Sequence, residues 1–174
     1  MIKHWFENMK YNSYNVNMKK IECPEPEIVH VWFKEGTTYD TLYEDGVVRR
    51  YDILDSAKDY PPFNKLKNRK LFLRGRVVTY SIIWNSEIDI SSWAAYDFGT
   101  DVTNEYNDLE KYLVGYKLKC ARINHNVSQE VLAKRTGIDQ ATISKIEKGG
   151  MNPSVKTIMK IVKALNAKIK LTIK

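Results

Sequence analysis

Four side chains near the carboxyl end can form contacts with the edges of nucleic-acid bases. Gln140, Ala141, Ser144 and Lys145 recur at the spacing of one helix face. A glutamine can hydrogen-bond to adenine, a lysine can reach guanine or a phosphate, and an alanine methyl can contact thymine. This pattern favours recognition of DNA. The alternative interpretation is an ordinary polar helix face in a structural bundle.

Two short helices are predicted to position this face. Ser128 is a typical N-cap for a helix over Gln129–Thr136, and Asp139 caps a second helix over Gln140–Lys148. Gly137 between them supplies the left-handed residue of a tight turn. Because the turn is short, the two helices must cross steeply. This spacing is typical of a helix-turn-helix.

A steep crossing requires a small residue at the contact and apolar residues on the facing sides. Ala133 can fill the first role. The apolar residues predicted to face each other across the crossing are Leu132, Ile138, Ile143 and Ile146. Gln129 begins the first helix, where its side chain and the unpaired backbone N–H groups can hold a phosphate.

The surrounding segment, residues 109–167, contains a larger set of residues with a recognisable order and spacing. They are Arg122, Ser128-Gln129-Glu130-Val131-Leu132-Ala133, Thr136-Gly137-Ile138, Ile143-Ser144-Lys145-Ile146-Glu147-Lys148-Gly149, Asn152-Pro153-Ser154 and Ile158 to Leu165. Through these residues the segment resembles the xenobiotic-response-element and lambdoid-phage-repressor (Cro/C1-type) helix-turn-helix family. The resemblance implies a compact domain of about five helices that binds double-stranded operator DNA as a homodimer, with one helix in the major groove.

The resemblance also implies roles for individual residues. Gln129 would clamp the DNA backbone, and Lys148 with the following loop would approach flanking phosphates. Arg122 would form a partly buried ion pair with Glu147. The implied readout residues are Gln140, Ala141, Thr142, Ser144 and Lys145. The loop Gly149-Gly150-Met151 departs from the family, which more often has a charged residue after the first glycine.

The distribution of charge supports a polyanionic partner for the carboxyl-terminal part. Residues 1–100 carry 14 basic and 14 acidic side chains, whereas residues 101–174 carry 14 and 7. From Lys111 onward the excess is +11, because only three acidic residues remain. A local positive field of this kind suits a nucleic-acid backbone. A lysine-rich solvated surface is the alternative.

The amino-terminal part is predicted to be an α+β domain over residues 25–99, a β-meander with short helices. Asp45-Gly46 is a strong hairpin signal within it, and Ser91 or Ser92 is expected to cap a short helix. The predicted strands cover residues 28–33, 38–43, 47–53, 70–74, 76–84 and 87–90. Residues 43–52 and 82–90 resemble a family of small bacterial α+β domains that has no assigned chemistry.

Three further segments complete the expected organisation. Residues 1–24 form an arm or an edge strand, and residues 100–107 have the composition of a linker. The all-α helix-turn-helix domain, residues 108–174, ends in a strand from Ala167 to Lys174, where apolar and polar residues alternate. That strand needs a partner edge, either the same strand of a second chain or the amino-terminal sheet.

Other chemistries are disfavoured by the sequence. Cys23 and Cys120 have no second ligand at metal or disulfide spacing, and His4 and His30 have no partners in the sequence. The acidic residues that could gather as a catalytic cluster are explained by strand alternation and turn capping; these are Asp52, Asp55, Asp59, Glu87 and Asp89. We therefore expect neither enzyme activity nor a cofactor. The start lacks a signal-peptide hydrophobic region, and no apolar run is long enough to span a membrane, so a cytoplasmic location is expected.

The expected function is that of a bacterial or phage-type repressor that binds operator DNA as a dimer. A second hypothesis is an antitoxin or adaptor, whose amino-terminal domain binds a toxin-like partner protein while the helix-turn-helix domain autoregulates the operon. A third makes the amino-terminal domain a small-molecule sensor.

Overall fold

A computed structural model describes residues 25–169 of the chain. The arm predicted for residues 1–24 and most of the predicted carboxyl-terminal strand lie outside the described residues, and Ala167 to Ile169 form no strand. Strands and helices of the amino-terminal part are β1 (Ile28–Phe33), β2 (Thr38–Tyr43), β3 (Val48–Asp52), α1 (Arg69–Phe72), β4 (Arg76–Val78), β5 (Ser81–Ile83), β6 (Asp89–Ser91), α2 (Ser92–Phe98) and β7 (Thr100–Asp101). Short 3-10 helices cover Ile53–Ser56, Pro61–Lys67 and Thr103–Glu105.

The strands form two antiparallel sheets. One has the order β1-β2-β3-β7 and the other the order β4-β5-β6. The predicted three-stranded meander is confirmed. Its second turn closes at Asp45-Gly46, where the Asp45 carboxylate accepts a hydrogen bond from the N–H of Val47 and Gly46 has a φ of +90°. Ser91 caps α2, since its side chain accepts a hydrogen bond from the N–H of Trp93.

Two of the predicted strands are wrong. Residues 70–74 belong mostly to the helical turn α1, because the Asn68 side chain accepts hydrogen bonds from Lys70 and Leu71 and starts a helix. Residues 76–84 form a hairpin of two strands, with Thr79 at a φ of +32° in the turn. Most residues of that run have high β propensity, and it contains no Gly, Pro, Asn or Asp that would mark the reversal.

The segment expected to be a linker is integrated into the first sheet. Thr100 and Asp101 pair with β3, and Val102 is buried against Leu42 and Val48. A short polar sequence has therefore become an edge strand, because the exposed edge of β3 offers hydrogen-bonding groups that need partners.

Four helices follow: α3 (Leu109–Asn124), α4 (Gln129–Thr136), α5 (Gln140–Glu147) and α6 (Val155–Ala164). The bounds of α4 and α5 agree with the predicted helices Gln129–Thr136 and Gln140–Lys148 within one residue. The resemblance implied about five helices, and the described residues after 108 form these four. Across residues 25–169, no helix combines the length and apolar composition needed to cross a membrane.

Helix α3 belongs to two apolar cores. Leu109, Tyr112 and Leu113 pack on the first sheet, with Trp32 and Tyr106 in the same cluster. Farther along the helix, its apolar residues join a core with α4, α5 and α6; these are Val114, Leu118 and Ala121. The other face of the first sheet packs on the core shared with the second sheet. The strand β2 is therefore covered on both faces.

A buried carboxylate fixes the start of α3 on the sheet. Asp40 of β2 accepts hydrogen bonds from Nε and Nη2 of Arg50 at 2.9 and 2.8 Å, and from the hydroxyl of Tyr106 at 2.5 Å. Burial by itself raises the pKa of Asp40, but the hydrogen bonds from Arg50 and Tyr106 outweigh it, so the pKa lies below its ordinary value. Arg50 also bonds to Glu105.

Candidate nucleic-acid interface

The helix pair α4 and α5 has the geometry that its local sequence predicts. Ser128 caps α4 by accepting a hydrogen bond from the N–H of Val131 at 3.2 Å, and Asp139 caps α5 by accepting one from Thr142 at 2.8 Å. Gly137 has a φ of +63°, and its N–H donates to the carbonyl of Ala133 at 2.7 Å. The turn is left-handed, as expected.

Apolar packing fixes the inner face of α5. Ile143 and Ile146 are essentially inaccessible and contact a core that includes Leu132, with Ala133 and Ile138 at its edge. Burying side chains of this size contributes roughly 2 kcal/mol each relative to exposure. This inner face determines which residues of α5 remain outside.

The outer face of α5 carries the side chains singled out in the sequence. Gln140, Ala141, Lys145 and Lys148 are exposed, and Ser144 is half-buried beside them. Thr142 differs, because its hydroxyl donates to the Asp139 carboxylate at 2.6 Å and so supports the cap. The face is open to a ligand along the whole helix, within the part of the chain that the structure describes.

A buried ion pair holds the end of α5 against α3. Arg122 donates to the Glu147 carboxylate from Nε at 2.7 Å and from Nη2 at 2.8 Å, and its Nη1 donates to the carbonyl of Val127. The side chains are 12% and 4% exposed. The ion pair implied by the family resemblance is therefore present. The carboxylate beside it raises the pKa of Arg122 above its ordinary value.

Gln129 joins this network. Its amide Nε2 donates to Oε2 of Glu147 at 2.8 Å, so the side chain links the start of α4 to the end of α5. A phosphate contact from the same residue stays a prediction. The contact with Glu147 already orients the amide, which reduces the conformational freedom lost when a ligand binds.

Two glycines allow the close packing around α5. A Cβ on Gly115 would overlap the backbone carbonyl of Ile146, so α3 and α5 approach each other at backbone distance. A Cβ on Gly149 would overlap the ring of Tyr112, and Gly149 has a φ of +69°. Sequence reasoning missed Gly115; a glycine inside an amphipathic helix is the signal that marks such a position.

A cavity of about 280 Å³ lies between the edge strand β1 and the end of α5. Its lining residues are Val29, His30, Val31, Val77, Tyr112, Lys119, Glu147 and Lys148. Burial lowers the pKa of His30 to about 4. The second sheet, through Val77, therefore lies next to the carboxyl end of the helix that presents the polar face.

Comparisons with known proteins agree with this geometry. A family profile described as helix-turn-helix matches residues 118–171. An uncharacterized HTH-type transcriptional regulator of Methanocaldococcus jannaschii, MJ0272, is 49% identical over 53 residues, which are 30% of this chain and 80% of that protein. The chain belongs to the helix-turn-helix family of transcriptional regulators. An uncharacterized HTH-type transcriptional regulator of Archaeoglobus fulgidus is 47% identical over 53 residues, 30% of this chain and 75% of that protein.

The helix-turn-helix match begins at residue 118, inside α3. The half of α3 that packs on the sheet, and both sheets, thus precede the matched region. These relatives are archaeal, so the bacterial origin expected from the sequence stays a prediction. Among solved structures, protein NE0471 from Nitrosomonas europaea is 14% identical, with a TM-score of 0.36 over 79% of this chain and 84% of that one.

Proposed function

We propose that this helix-turn-helix protein is a sequence-specific regulator that binds double-stranded DNA as a dimer and represses transcription by occupying an operator. The observation that supports the proposal most directly is the exposed face of α5. Gln140, Ala141 and Lys145 lie on the outside of a helix whose inner face and carboxyl end are both fixed. Side chains carried on a fixed helix can discriminate between base edges, because the backbone loses little freedom on binding.

The proposal assigns affinity and specificity to different residues. The α5 face contacts base edges in the major groove, whereas Gln129 and Lys148 contact phosphates and position the protein without reading sequence. The charge of the carboxyl-terminal part, 14 basic against 7 acidic residues after residue 100, provides the electrostatic attraction to the backbone.

The dimer in this proposal is supported by an exposed apolar strip on α6. Val155 is 76% exposed and Met159 is 55% exposed, one helical turn apart on the same face. Apolar side chains this exposed and adjacent are typical of an interface. In a two-fold assembly the same strip on the second copy can cover them.

The experiment that tests the function begins with selection of bound duplexes from a random-sequence DNA pool. Gln140→Ala is then expected to relax base preference at one position, with about 1–3 kcal/mol of discrimination lost. Gln129→Ala is expected to weaken binding to all selected duplexes alike. Ser86→Ala, an exposed position on the amino-terminal part, serves as the control that changes neither.

Two outcomes would contradict the proposal. One is the recovery of no enriched sequence, and the other is an equal, sequence-independent loss from the Gln140 and Gln129 variants. Sedimentation of the protein with and without duplex tests the dimer, which predicts two copies of the chain for each bound site.

The adaptor function is favoured by one separate observation. Phe98, at the end of α2, is 68% exposed on the amino-terminal part. An exposed phenylalanine of this kind is enriched in contacts between proteins. A toxin-like partner would copurify with the native chain and would be lost with Phe98→Ser, while DNA binding by the variant would be unchanged.

A further inference from the structure

The amino-terminal part is neutral as a whole, yet it contains one strongly basic segment. No acidic residue lies between Asp59 and Glu87. That interval contains six basic residues, all within twelve positions: Lys65, Lys67, Arg69, Lys70, Arg74 and Arg76. Averaging the charge over residues 1–100 hides this segment, because acidic residues elsewhere balance it.

All six side chains of the basic segment lie on exposed residues. Two of them have partners: Lys65 pairs with Glu87 at 2.9 Å, and Arg69 donates to the backbone carbonyls of Lys34 and Gly36. Within residues 25–169, no carboxylate pairs with the remaining four. These four are Lys67, Lys70, Arg74 and Arg76.

The basic segment runs into β4, which adjoins the end of α5. Val77, next to Arg76, lines the same cavity as Lys119 and Lys148. The cavity is only about 280 Å³, so its walls lie close to one another. The basic segment therefore ends one residue before the wall of a cavity that Lys119 and Lys148 also line.

The hairpin of β4 and β5 is held in this position by α3. Glu27 accepts hydrogen bonds from the hydroxyl of Tyr80, at 3.0 Å, and from the hydroxyl of Tyr116 on α3. The N–H of Ile28 also donates to the carbonyl of Thr79 at 2.9 Å. Because α3 packs directly on α5, the basic segment has a fixed place relative to the polar face.

We infer that residues 67–76 form a second DNA contact, on the phosphate backbone that flanks the bases under α5. The inference rests on the proposed function, and it assigns the amino-terminal part to the same duplex. Arginine and lysine side chains on an exposed surface bind phosphates without reading bases. The segment would thus add affinity and footprint length but no sequence preference.

The test compares two lengths of one selected duplex. The short form keeps the bases under α5 and the phosphates assigned to Gln129 and Lys148, and the long form carries about ten further base pairs on each side, roughly one helical turn. The wild-type chain is expected to bind the long form about tenfold or more tightly than the short form at about 0.1 M salt. The triple variant Lys70→Gln/Arg74→Gln/Arg76→Gln is expected to bind both forms alike.

The salt dependence provides a second readout. Each phosphate contact contributes about 0.9 to the slope of log binding constant against log salt. On the long duplex the triple variant is expected to reduce this slope by about 2 to 3. Because the substituted residues are exposed, the thermal unfolding curve should coincide with that of the wild type.

A matched single substitution excludes a general effect of net charge. Lys58→Gln removes one charge from an exposed residue that lies between Asp55 and Asp59, outside the basic segment. Arg76→Gln removes one charge within it. Only Arg76→Gln is expected to weaken binding to the long duplex, by about threefold.

The outcomes separate this inference from the proposed function. Binding that depends on Gln140 but is equally strong with the triple variant on the long duplex overturns the second contact alone. Equal losses from Lys58→Gln and Arg76→Gln also overturn it. An absence of wild-type binding to every duplex contradicts the proposed function itself.

Discussion

Two buried arginine–carboxylate pairs fix the two ends of α3, and they differ in how much water reaches the arginine. In both, one arginine makes two hydrogen bonds of 2.7 to 2.9 Å to a buried carboxylate. Arg122 is only 12% exposed, whereas Arg50 is 34% exposed and also bonds to Glu105. The pair Arg122–Glu147, called the helical pair below, is therefore shielded from water. The pair Arg50–Asp40, called the sheet pair, is accessible to water on the side of its arginine.

This difference determines what happens when one partner is removed. A buried charge without a partner is strongly unfavourable, but a charge that reaches solvent or a second partner is much less so. Two ion pairs of similar geometry can thus contribute different amounts to the free energy of unfolding. The helical pair fixes the end of α5, while the sheet pair fixes Tyr106, three residues before α3 begins.

The largest effect is expected from breaking the helical pair. Glu147→Ala leaves Arg122 buried without its carboxylate and removes the acceptor of Gln129, so we expect a loss of about 3–5 kcal/mol in the free energy of unfolding. Urea unfolding measures it. The double replacement Arg122→Met/Glu147→Leu is the control, and it should be more stable than Glu147→Ala. A loss below about 1 kcal/mol would show that the pair is effectively solvated.

A smaller loss is expected from the sheet pair. Asp40→Ala removes a carboxylate that is fully buried, but Arg50 keeps Glu105 and its contact with water. We expect about 2–3 kcal/mol by urea unfolding, less than for Glu147→Ala. Glu105→Ala, which removes only the exposed partner of Arg50, should cost less than about 1 kcal/mol. An equal loss from the Asp40 and Glu147 variants would contradict the distinction between the two pairs.

Backbone packing provides a further comparison between positions around α5. Gly115→Ala introduces a methyl that overlaps the Ile146 carbonyl, which is backbone and cannot move without shifting α5. We expect a loss of about 1–3 kcal/mol and weaker DNA binding. Gly150→Ala is the control, since its Cβ would lie 3.3 Å from the carbonyl of Lys145, where a small adjustment suffices. Comparable losses for both variants would exclude the close approach as the cause.

The smallest expected effect is a pH dependence on the sheet side of α3. Burial lowers the pKa of His30 from 6.5 to about 4. As the pH falls from about 6.5 to 4, the unfolded chain takes up a proton that the folded chain does not, so stability decreases. At about 1.4 kcal/mol per pH unit, we expect a decrease of about 2 kcal/mol between about pH 6.5 and pH 5. It should be absent in His30→Phe and unchanged in His125→Asn, an exposed histidine. A pH profile that His30→Phe leaves intact would refute this assignment.

The lowered pKa of Asp40 also decreases the stability as the pH falls, but below about pH 4.

The helix pair was predictable from sequence because its signals are local. Ser128, Gly137 and Asp139 each act on the nearest turn of backbone, and all three lie within twelve positions. The pair of Arg122 and Glu147 joins residues 25 positions apart, and only the family resemblance indicated it. The polar face of α5 was predictable because the spacing of Ile143 and Ile146 defines the buried face of the helix and so the opposite, exposed one.

The second half of the amino-terminal part was harder to predict for equally physical reasons. Residues 77–80 and 82–84 favour strands without a Gly, Pro, Asn or Asp between them, and tertiary packing decides where the chain reverses, as at Thr79. Because β2 is buried on both faces, its sequence does not alternate between apolar and polar residues. The side on which Asp40 lies could therefore not be predicted from the sequence. Gly115 and the basic segment were visible in the sequence, but only the fold shows what lies next to each.

The position of α3 in two cores means that the protein cannot be divided cleanly at residue 107. A fragment starting there would display Leu109, Tyr112 and Leu113 to water, and the remaining piece would display Trp32 and Leu42. Each fragment would expose an apolar surface that is buried in the intact protein and that favours aggregation. Because the sheet and the helix-turn-helix share α3, we expect the described residues from β1 to α6 to fold as one unit.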